Sequence, residues 1–319
     1  MKIVLVTGAF GLVGKSFQKT VSLFNQPYYA YVFLGRKDCD LRNIIDVMQC
    51  FNVYQPDIVV HLASCVGGVY ENMNKNYQYL IDNIKINTNI VDACRKYKVS
   101  KLINILSTCI FPDQNVTYPL TSDQLHNGLP HHSNIGYAYS KRVLHLASQL
   151  LTQNTDNVTQ VVNLTPTNLY GDYDNYNLQA SHVIPALIHK TYNAIQNNTH
   201  LQVYGSGNAI RQFLHVDDLS KVILHFVHTD YQQSEISCIV SPPEDHEVSI
   251  KQLVNYISTS FDFKNDIVYD TSFADGQIKK TTNNQELIQY IPDFQFTPLQ
   301  QGIYKTVQFF KENYAMLRH

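Results

Sequence analysis

The apolar run Ile3-Val4-Leu5-Val6 leads into Thr7-Gly8-Ala9-Phe10-Gly11-Leu12-Val13-Gly14 and then directly into an amphipathic stretch. Glycines at this spacing between a strand and a helix let main chain approach a bulky group. The free N–H groups of the first helical turn then favour an anion such as a pyrophosphate. A tight turn with no ligand is the plainer alternative, but the strand before the glycines and the helix after them favour a dinucleotide site. That reading assigns Gly8, Phe10, Gly11, Leu12, Val13 and Gly14 to a cofactor.

The same alternation continues down the N-terminal half. KIVLVTG, YVFLGR, PDIVVHLAS, KLINILST and TQVVNLTP read as strands, whereas VGKSFQKTVSLF, IIDVMQCFNVY, NIVDACRKYKV and SKRVLHLASQLL carry apolar residues at helical spacing. This pattern predicts an α/β protein with a Rossmann-type, doubly wound parallel sheet. After Pro166 the rhythm loosens into Asn- and Tyr-rich loops, a helix over VIPALIHKTYNAIQ and a short strand LQVYG, which predicts a smaller α+β substrate domain. FLHVDDLSKVILHFVHT reads as one amphipathic helix that returns to the first domain. The expected division is a cofactor domain over residues 1–165, rejoined by about 208–242, with 166–319 forming mainly the substrate domain.

Composition narrows the function classes. The 319 residues carry a formal net charge of −2, so no positive field exists to gather nucleic acid. No run approaches the roughly 18 consecutive apolar residues of a membrane span. The opening strand is too short for a signal-peptide core, so the expected location is cytoplasmic. Six cysteines lie scattered without paired spacing, which predicts reduced thiols and no metal site.

About 22 residues beyond Gly14, where an NAD-preferring chain sets an acidic residue against the ribose hydroxyls, stand Arg36 and Lys37. A guanidinium and an ammonium suit a 2′-phosphate and point to NADP(H); an ordinary solvated pair is the alternative. His61-Leu62-Ala63-Ser64 closes a strand, so Leu62 and Ala63 are expected beside the cofactor, with His61 structural.

Tyr137 and Lys141 are spaced i and i+4, one turn apart on one helix face. A neighbouring ammonium is expected to pull the phenol below its usual pKa near 10 and make it a usable acid/base, with Lys141 also holding the nicotinamide ribose. Ser107, at the end of the strand KLINILS, would offer a hydroxyl to a substrate carbonyl oxygen. The spacing alone is common in a chain with 22 tyrosines; the glycine loop and Ser107 make it specific.

Further segments, VGGVYEN, STCIFPD, HNGLPHHSNIGYAYSKR, PTNLYGDYDNYN, SHVIPALIHK, VYGSGNAIRQFLHVDDL and DGQIKKT, span almost the whole chain and resemble the GDP-L-fucose synthases, a branch of the extended short-chain dehydrogenase/reductases. The resemblance implies two epimerisations of GDP-4-keto-6-deoxy-D-mannose followed by NADPH-dependent reduction to GDP-L-fucose. It places the epimerising acid/base pair at Cys109 and His182. It adds Asp40, Leu41, Pro166, Asn168 and Leu169 to the cofactor contacts, together with Tyr137, Lys141 and His182. For the GDP-sugar it implies Ser107, Thr108, Cys109, Asn168, Val183, Lys190, Tyr204, Arg211 and Lys280. Lys190 and Tyr204 stand where the bacterial-type pattern has arginine and tryptophan, and a lysine gives a point charge rather than a bidentate fork. A homodimer formed through the Tyr137 helix and NIVDACRKYKV is also implied. The rivals are an NAD-retaining nucleotide-sugar epimerase or dehydratase on the same fold, against which Arg36-Lys37 and Thr108-Cys109 argue, and a non-catalytic NADP(H) sensor, against which Tyr137 and Lys141 argue.

Overall fold

The computed structural model describes residues 1–24, 27–154, 156, 158–273 and 275–317, the side chains of Val69 and Tyr70 excepted. Five strands and four helices alternate through the first half: β1 (Lys2–Thr7), α1 (Leu12–Ser22), β2 (Tyr29–Leu34), α2 (Ile44–Tyr54), β3 (Ile58–His61), α3 (Val69–Lys96), β4 (Lys101–Ile105), α4 (Ile135–Thr152) and β5 (Gln160–Pro166). The second half contains β6 (Asn168–Tyr170), α5 (Val183–Gln196), β7 (Leu201–Tyr204), β8 (Ile210–Arg211), β9 (Phe213–His215), α6 (Val216–His228), β10 (Glu235–Val240), β11 (Val248–Ser249), α7 (Ile250–Phe261), β12 (Ile267–Asp270), β13 (Lys279–Lys280), α8 (Gln285–Tyr290) and α9 (Leu299–Asn313).

The main sheet has the order β10-β5-β4-β3-β1-β2 with parallel pairing throughout. The period-2 alternation of its strands fills two cores. Val4, Val6, Ile58, Val60, Ile103 and Val162 meet Phe17 of α1 and Leu219, Ile223 and Phe226 of α6 on one face. Leu5, Val59, Leu102 and Val161 meet Val47, Phe51 and Ile90 of α2 and α3 on the other. Because the chain leaves β1 toward β2 on one side and reaches β3 on the other, a crevice opens at the carboxyl edge between β1 and β3, the place where such sheets bind ligands.

A second core joins α5, α7 and α9 to β7, Tyr170, Tyr176 and Phe213. Beside it lie three small sheets, β11-β8-β13, β12-β7 and β6-β9. Strand β10 extends the main sheet and α6 packs on α1, so the chain crosses back after entering the second half.

Three boundaries differ from expectation. Phe213–His215 is a strand paired with β6 rather than the start of a helix, because its short apolar run fits either state and the parallel partner Asn168–Tyr170 decides it. Helix α3 begins twenty residues before NIVDACRKYKV and bends at Lys75, whose φ of −118° and ψ of 18° are not helical. Strand β4 stops at Ile105, and Ser107 instead caps a short 3₁₀ turn over Thr108–Ile110 through its hydroxyl, which accepts the Cys109 N–H at 3.2 Å.

Candidate active site

The glycine loop is built for close approach. Gly8 has φ +67°, and a Cβ there would lie 2.6 Å from Ala63 N, so the turn after β1 presses on the end of β3 and only glycine fits. A Cβ at Gly14 would meet Ala9 O at 2.3 Å, which sets α1 tightly against the loop. The result is a flat main-chain shelf at the β1/β3 crevice, ending on the first turn of α1, with Leu62 N bonded to Thr7 O at 3.3 Å. His61 is fully buried, its ring held by Thr7 Oγ1 at 2.9 Å and Asn87 Oδ1 at 3.1 Å, and burial lowers its pKa to about 3; it is a structural, neutral histidine.

Arg36 and Lys37 are exposed in the turn after β2 and have no ion-pair partner among the described residues. The nearby carboxylate is already engaged: Asp40 accepts Arg42 Nε at 2.9 Å and Nη2 at 2.7 Å, and these bonds lower its pKa to about 2. A shelf cut to the backbone and two free cations beside it fit a dinucleotide carrying an additional phosphate. Phe10 covers Gly35, where a Cβ would meet its ring at 2.5 Å, and Leu41 packs into the core under α2.

Tyr137, Lys141 and Ser107 come together at the carboxyl end of β4. The Tyr137 phenol is within hydrogen-bonding reach of the Ser107 and Ser64 hydroxyls. Lys141 Nζ lies 6.0 Å from the Tyr137 ring centroid and donates to Ile105 O at 2.7 Å. This corrects the expected titration of Tyr137. Burial, followed by the nearby Cys109, pushes the phenol pKa up, because the ammonium is turned to a backbone carbonyl rather than to the phenolic oxygen. Burial also brings Lys141 down to about 8. Ser64 was not assigned a role from sequence; ending the HLAS run at the sheet edge is what places it there.

Cys109 is the meeting point of the second half of the site. The 3₁₀ turn that Ser107 caps carries it toward β8 and β13, and Lys280 Nζ lies 3.8 Å from its sulfur. Arg211 and Lys280 are register partners across those strands. The Arg211 guanidinium is tied to Ile210 O at 2.8 Å and Gln277 O at 2.7 Å, has no carboxylate partner among the described residues, and has its pKa lowered by burial. Lys279, by contrast, is spent on Glu247 at 2.9 Å. Two cations side by side, with no ion-pair partner among the described residues, suit a diphosphate.

His182 is the N-cap of α5, one residue before Val183, and makes no side-chain cap bond to its helix. Part of the residue stays exposed, yet the surrounding protein desolvates the imidazole and lowers its pKa. The VGG segment holds this loop: a Cβ at Gly68 would stand 2.5 Å from Ser181 O, and Gly68 N donates to Ala180 O at 2.8 Å. From α5 the next turns bring Lys190, half-buried and lowered by desolvation, over the ring of Tyr204. Val183 and Lys190, seven residues apart, share one helix face. Among the described residues no hydrogen bond or ion pair joins His182 to Tyr137 or Cys109, so the two halves of the acid/base set are held by separate supports.

Two positioning residues escaped the sequence reading. Gln212 is completely buried; its Oε1 accepts Thr282 N at 2.7 Å and its Nε2 reaches the carbonyls of Pro242, Pro243 and Thr282, while its own carbonyl accepts Asn168 Nδ2 at 2.8 Å. It thereby fixes Asn168, Arg211 and the Lys280 strand relative to one another. Asn76, just past the α3 bend, accepts Gly136 N at 3.1 Å and so caps the helix that bears Tyr137. Neither carries a local signal: Gln212 lies in the mixed run Arg211-Gln212-Phe213-Leu214-His215, and Asn76 lies in a polar stretch of α3.

Comparison with known proteins agrees with this arrangement. Residues 4–237 match the model of the NAD dependent epimerase/dehydratase family. GDP-L-fucose synthase from Dictyostelium discoideum is 42% identical over 99% of this chain and 98% of its own length. The probable GDP-L-fucose synthase of Drosophila melanogaster is 37% identical over the full length of both. Among solved structures, a GDP-L-fucose synthetase from Naegleria fowleri bound to NADP superposes with a TM-score of 0.93 at 41% identity, covering 100% of this chain and 95% of the other.

Proposed function

The chain belongs to the NAD dependent epimerase/dehydratase family, in its GDP-L-fucose synthase branch, and from that premise we propose that it converts GDP-4-keto-6-deoxy-D-mannose to GDP-L-fucose in one site. The observation that carries the proposal is the convergence of Ser107, Tyr137 and Cys109 with the paired cations Arg211 and Lys280. A plain reductase needs the first two; the thiol beside them is what epimerisation requires.

Gly8, Phe10, Gly11, Leu12, Val13 and Gly14 would receive the pyrophosphate of NADP(H), Arg36 and Lys37 its 2′-phosphate, and Asp40, Leu41, Leu62, Ala63, Pro166, Asn168 and Leu169 its remaining surface, with Tyr137, Lys141 and His182 at the nicotinamide end. When bound, NADPH supplies hydride to the 4-keto carbon. Ser107 and Tyr137 hold the keto oxygen and stabilise the negative charge that develops when a proton leaves carbon three or five. Cys109 and His182 remove and return those protons from opposite faces. Burial keeps Tyr137 protonated, which suits it to donating to the alkoxide in the reduction. Arg211, Lys280 and Lys190 hold the diphosphate, and Thr108, Asn168, Val183 and Tyr204 complete the sugar-nucleotide contacts.

The division into a cofactor unit over 1–165, rejoined by 208–242, and a substrate unit over the rest is part of this reading. A homodimer is as well: Tyr139, Leu146 and Leu150 form an exposed apolar stripe on α4, at helical spacing beside α3. No helix among the described residues is long and apolar enough to cross a membrane, and we assign the protein to the cytoplasm. The test is direct. Purified protein with the keto sugar should oxidise NADPH and release GDP-L-fucose. Tyr137→Phe should still bind NADPH while losing at least a hundredfold in turnover, in line with the usual contribution of a general acid. Unchanged turnover in that variant would favour the NAD-retaining or non-catalytic rivals.

A further inference from the structure

Tyr204 is among the residues that the resemblance implies for the GDP-sugar, yet neither face of its ring is open to a base. Lys190 Nζ sits 3.3 Å from the ring centroid, and the ring of Phe273 stacks on Tyr204 at 4.1 Å with an interplanar angle of 20°. An ammonium and an aromatic ring that close to one centroid cannot share a face, so they occupy opposite ones. The 44% of Tyr204 that stays exposed is therefore its rim.

Phe273 is held in this place from both ends. Before it, β12 pairs with β7 so that Asp270 is the register partner of Tyr204, and Gly205 N donates to Asp270 O at 2.9 Å. After it, Asp275 accepts Ser206 N at 2.6 Å and Ser206 Oγ at 2.7 Å. A Cβ at Gly205 would fall 2.4 Å from Asp275 Oδ1, and Gly205 has φ +84°, so the clamp depends on that glycine. With its inner face on Tyr204, Phe273 turns its remaining surface to a wide groove that Asn175, Asn177 and Leu178 also line, together with the Glu71–Lys75 ion pair. Asparagine amides there offer both donors and acceptors, as a base edge requires.

We propose that the guanine of the GDP-sugar stacks on the outer face of Phe273, with Tyr204 and Lys190 forming the layers beneath. This rests on the GDP-sugar reading above and deepens it by naming the residue that sets base affinity. The ammonium beneath Tyr204 draws ring electron density inward, which leaves the outer face of Phe273 suited to an electron-rich purine such as guanine, and the clamp from Asp275 keeps the ring from folding away. The lysine at position 190 is then accounted for: its ammonium, which also donates to Gln202 O at 3.4 Å, supports the platform from below.

The chain has no tryptophan, so Phe273→Trp creates a single indole reporter at the proposed stacking position. GDP should quench its emission strongly, and inorganic pyrophosphate should not. Phe273→Ala should weaken GDP binding by about tenfold, about 1.4 kcal/mol, while pyrophosphate affinity changes by less than about twofold. Wild-type NADPH affinity in both variants shows that they are folded. If GDP saturates Phe273→Trp by calorimetry without quenching it, or if Phe273→Ala binds GDP as tightly as wild type or more tightly, the base lies elsewhere and the inference is overturned. A wild-type protein that binds no GDP at all would overturn the GDP-sugar reading itself, and this inference with it.

Discussion

Replacing Lys141 with methionine separates what the lysine costs in stability from what it does in chemistry. Its ammonium is fully buried, and burial lowers its pKa from 10.5 to about 8. Below pH 8 folded and unfolded chains both carry the proton, and a shift of this size makes the folded state about 3 kcal/mol less stable than it would be with an unperturbed group. Between pH 8 and 10.5 only the unfolded chain keeps the proton, so the wild type gains stability with rising pH across that window; above it the penalty is gone. Methionine matches the length without the charge, but leaves Ile105 O without the Nζ donor that now reaches it at 2.7 Å, a loss of about 1 kcal/mol. The variant should therefore be about 2 kcal/mol more stable than wild type at pH 7, with the gap closing and reversing by pH 10.5, and it should lose NADPH-dependent reduction. Urea unfolding followed by circular dichroism at pH 7, 8, 9 and 10 reads the gap directly. A variant no more stable than wild type at pH 7, or a gap that stays constant across those pH values, would refute the argument.

Gly8→Ala should raise the NADPH dissociation constant at least tenfold, since the new Cβ must push the loop off Ala63 and a φ of +67° disfavours alanine by about 1 kcal/mol; fluorescence titration of the reduced cofactor checks it. The double substitution Arg36→Ala, Lys37→Ala should weaken NADPH by a comparable factor and leave NADH nearly unchanged, as separate titrations with the two cofactors would reveal. His61, with a folded pKa of about 3 against 6.5 in the unfolded chain, contributes stability that is complete above pH 6.5 and is lost progressively as pH falls toward 3. That amounts to about 2 kcal/mol between pH 7.5 and pH 5, and His61→Gln, whatever it costs at neutral pH, should remove this part of the acid slope in denaturant melts.

The parallel sheet was legible because its strands are buried on both faces: Val4, Leu5 and Val6 are all at zero exposure, and such runs between helical patterns permit little else. The glycine loop was legible for the same kind of reason, since Gly8 and Gly14 answer to contacts a few residues or one crossover away. The titration of Tyr137 was not, because the i, i+4 spacing fixes which helix face a lysine shares but not where its flexible tip finds an acceptor. The Ile105 carbonyl belongs to a strand thirty-six residues earlier. Phe213–His215 misled for want of its partner strand. Gln212, Asn76 and Phe273 lay beyond reach because their importance is made entirely by long-range pairing: β8 with β13, α3 with the start of α4, β7 with β12.

The claim on which everything turns is that a thiol and an imidazole exchange protons with carbons flanking a ketone in the same site that later reduces it. Incubating the protein with the keto sugar and NADPH in deuterated water, then locating label in the product by NMR, tests this most directly. Deuterium at both carbon three and carbon five, falling sharply when Cys109→Ser or His182→Gln is used, is the predicted result. A reduced product carrying no solvent deuterium at either carbon would mean that the site is a reductase alone.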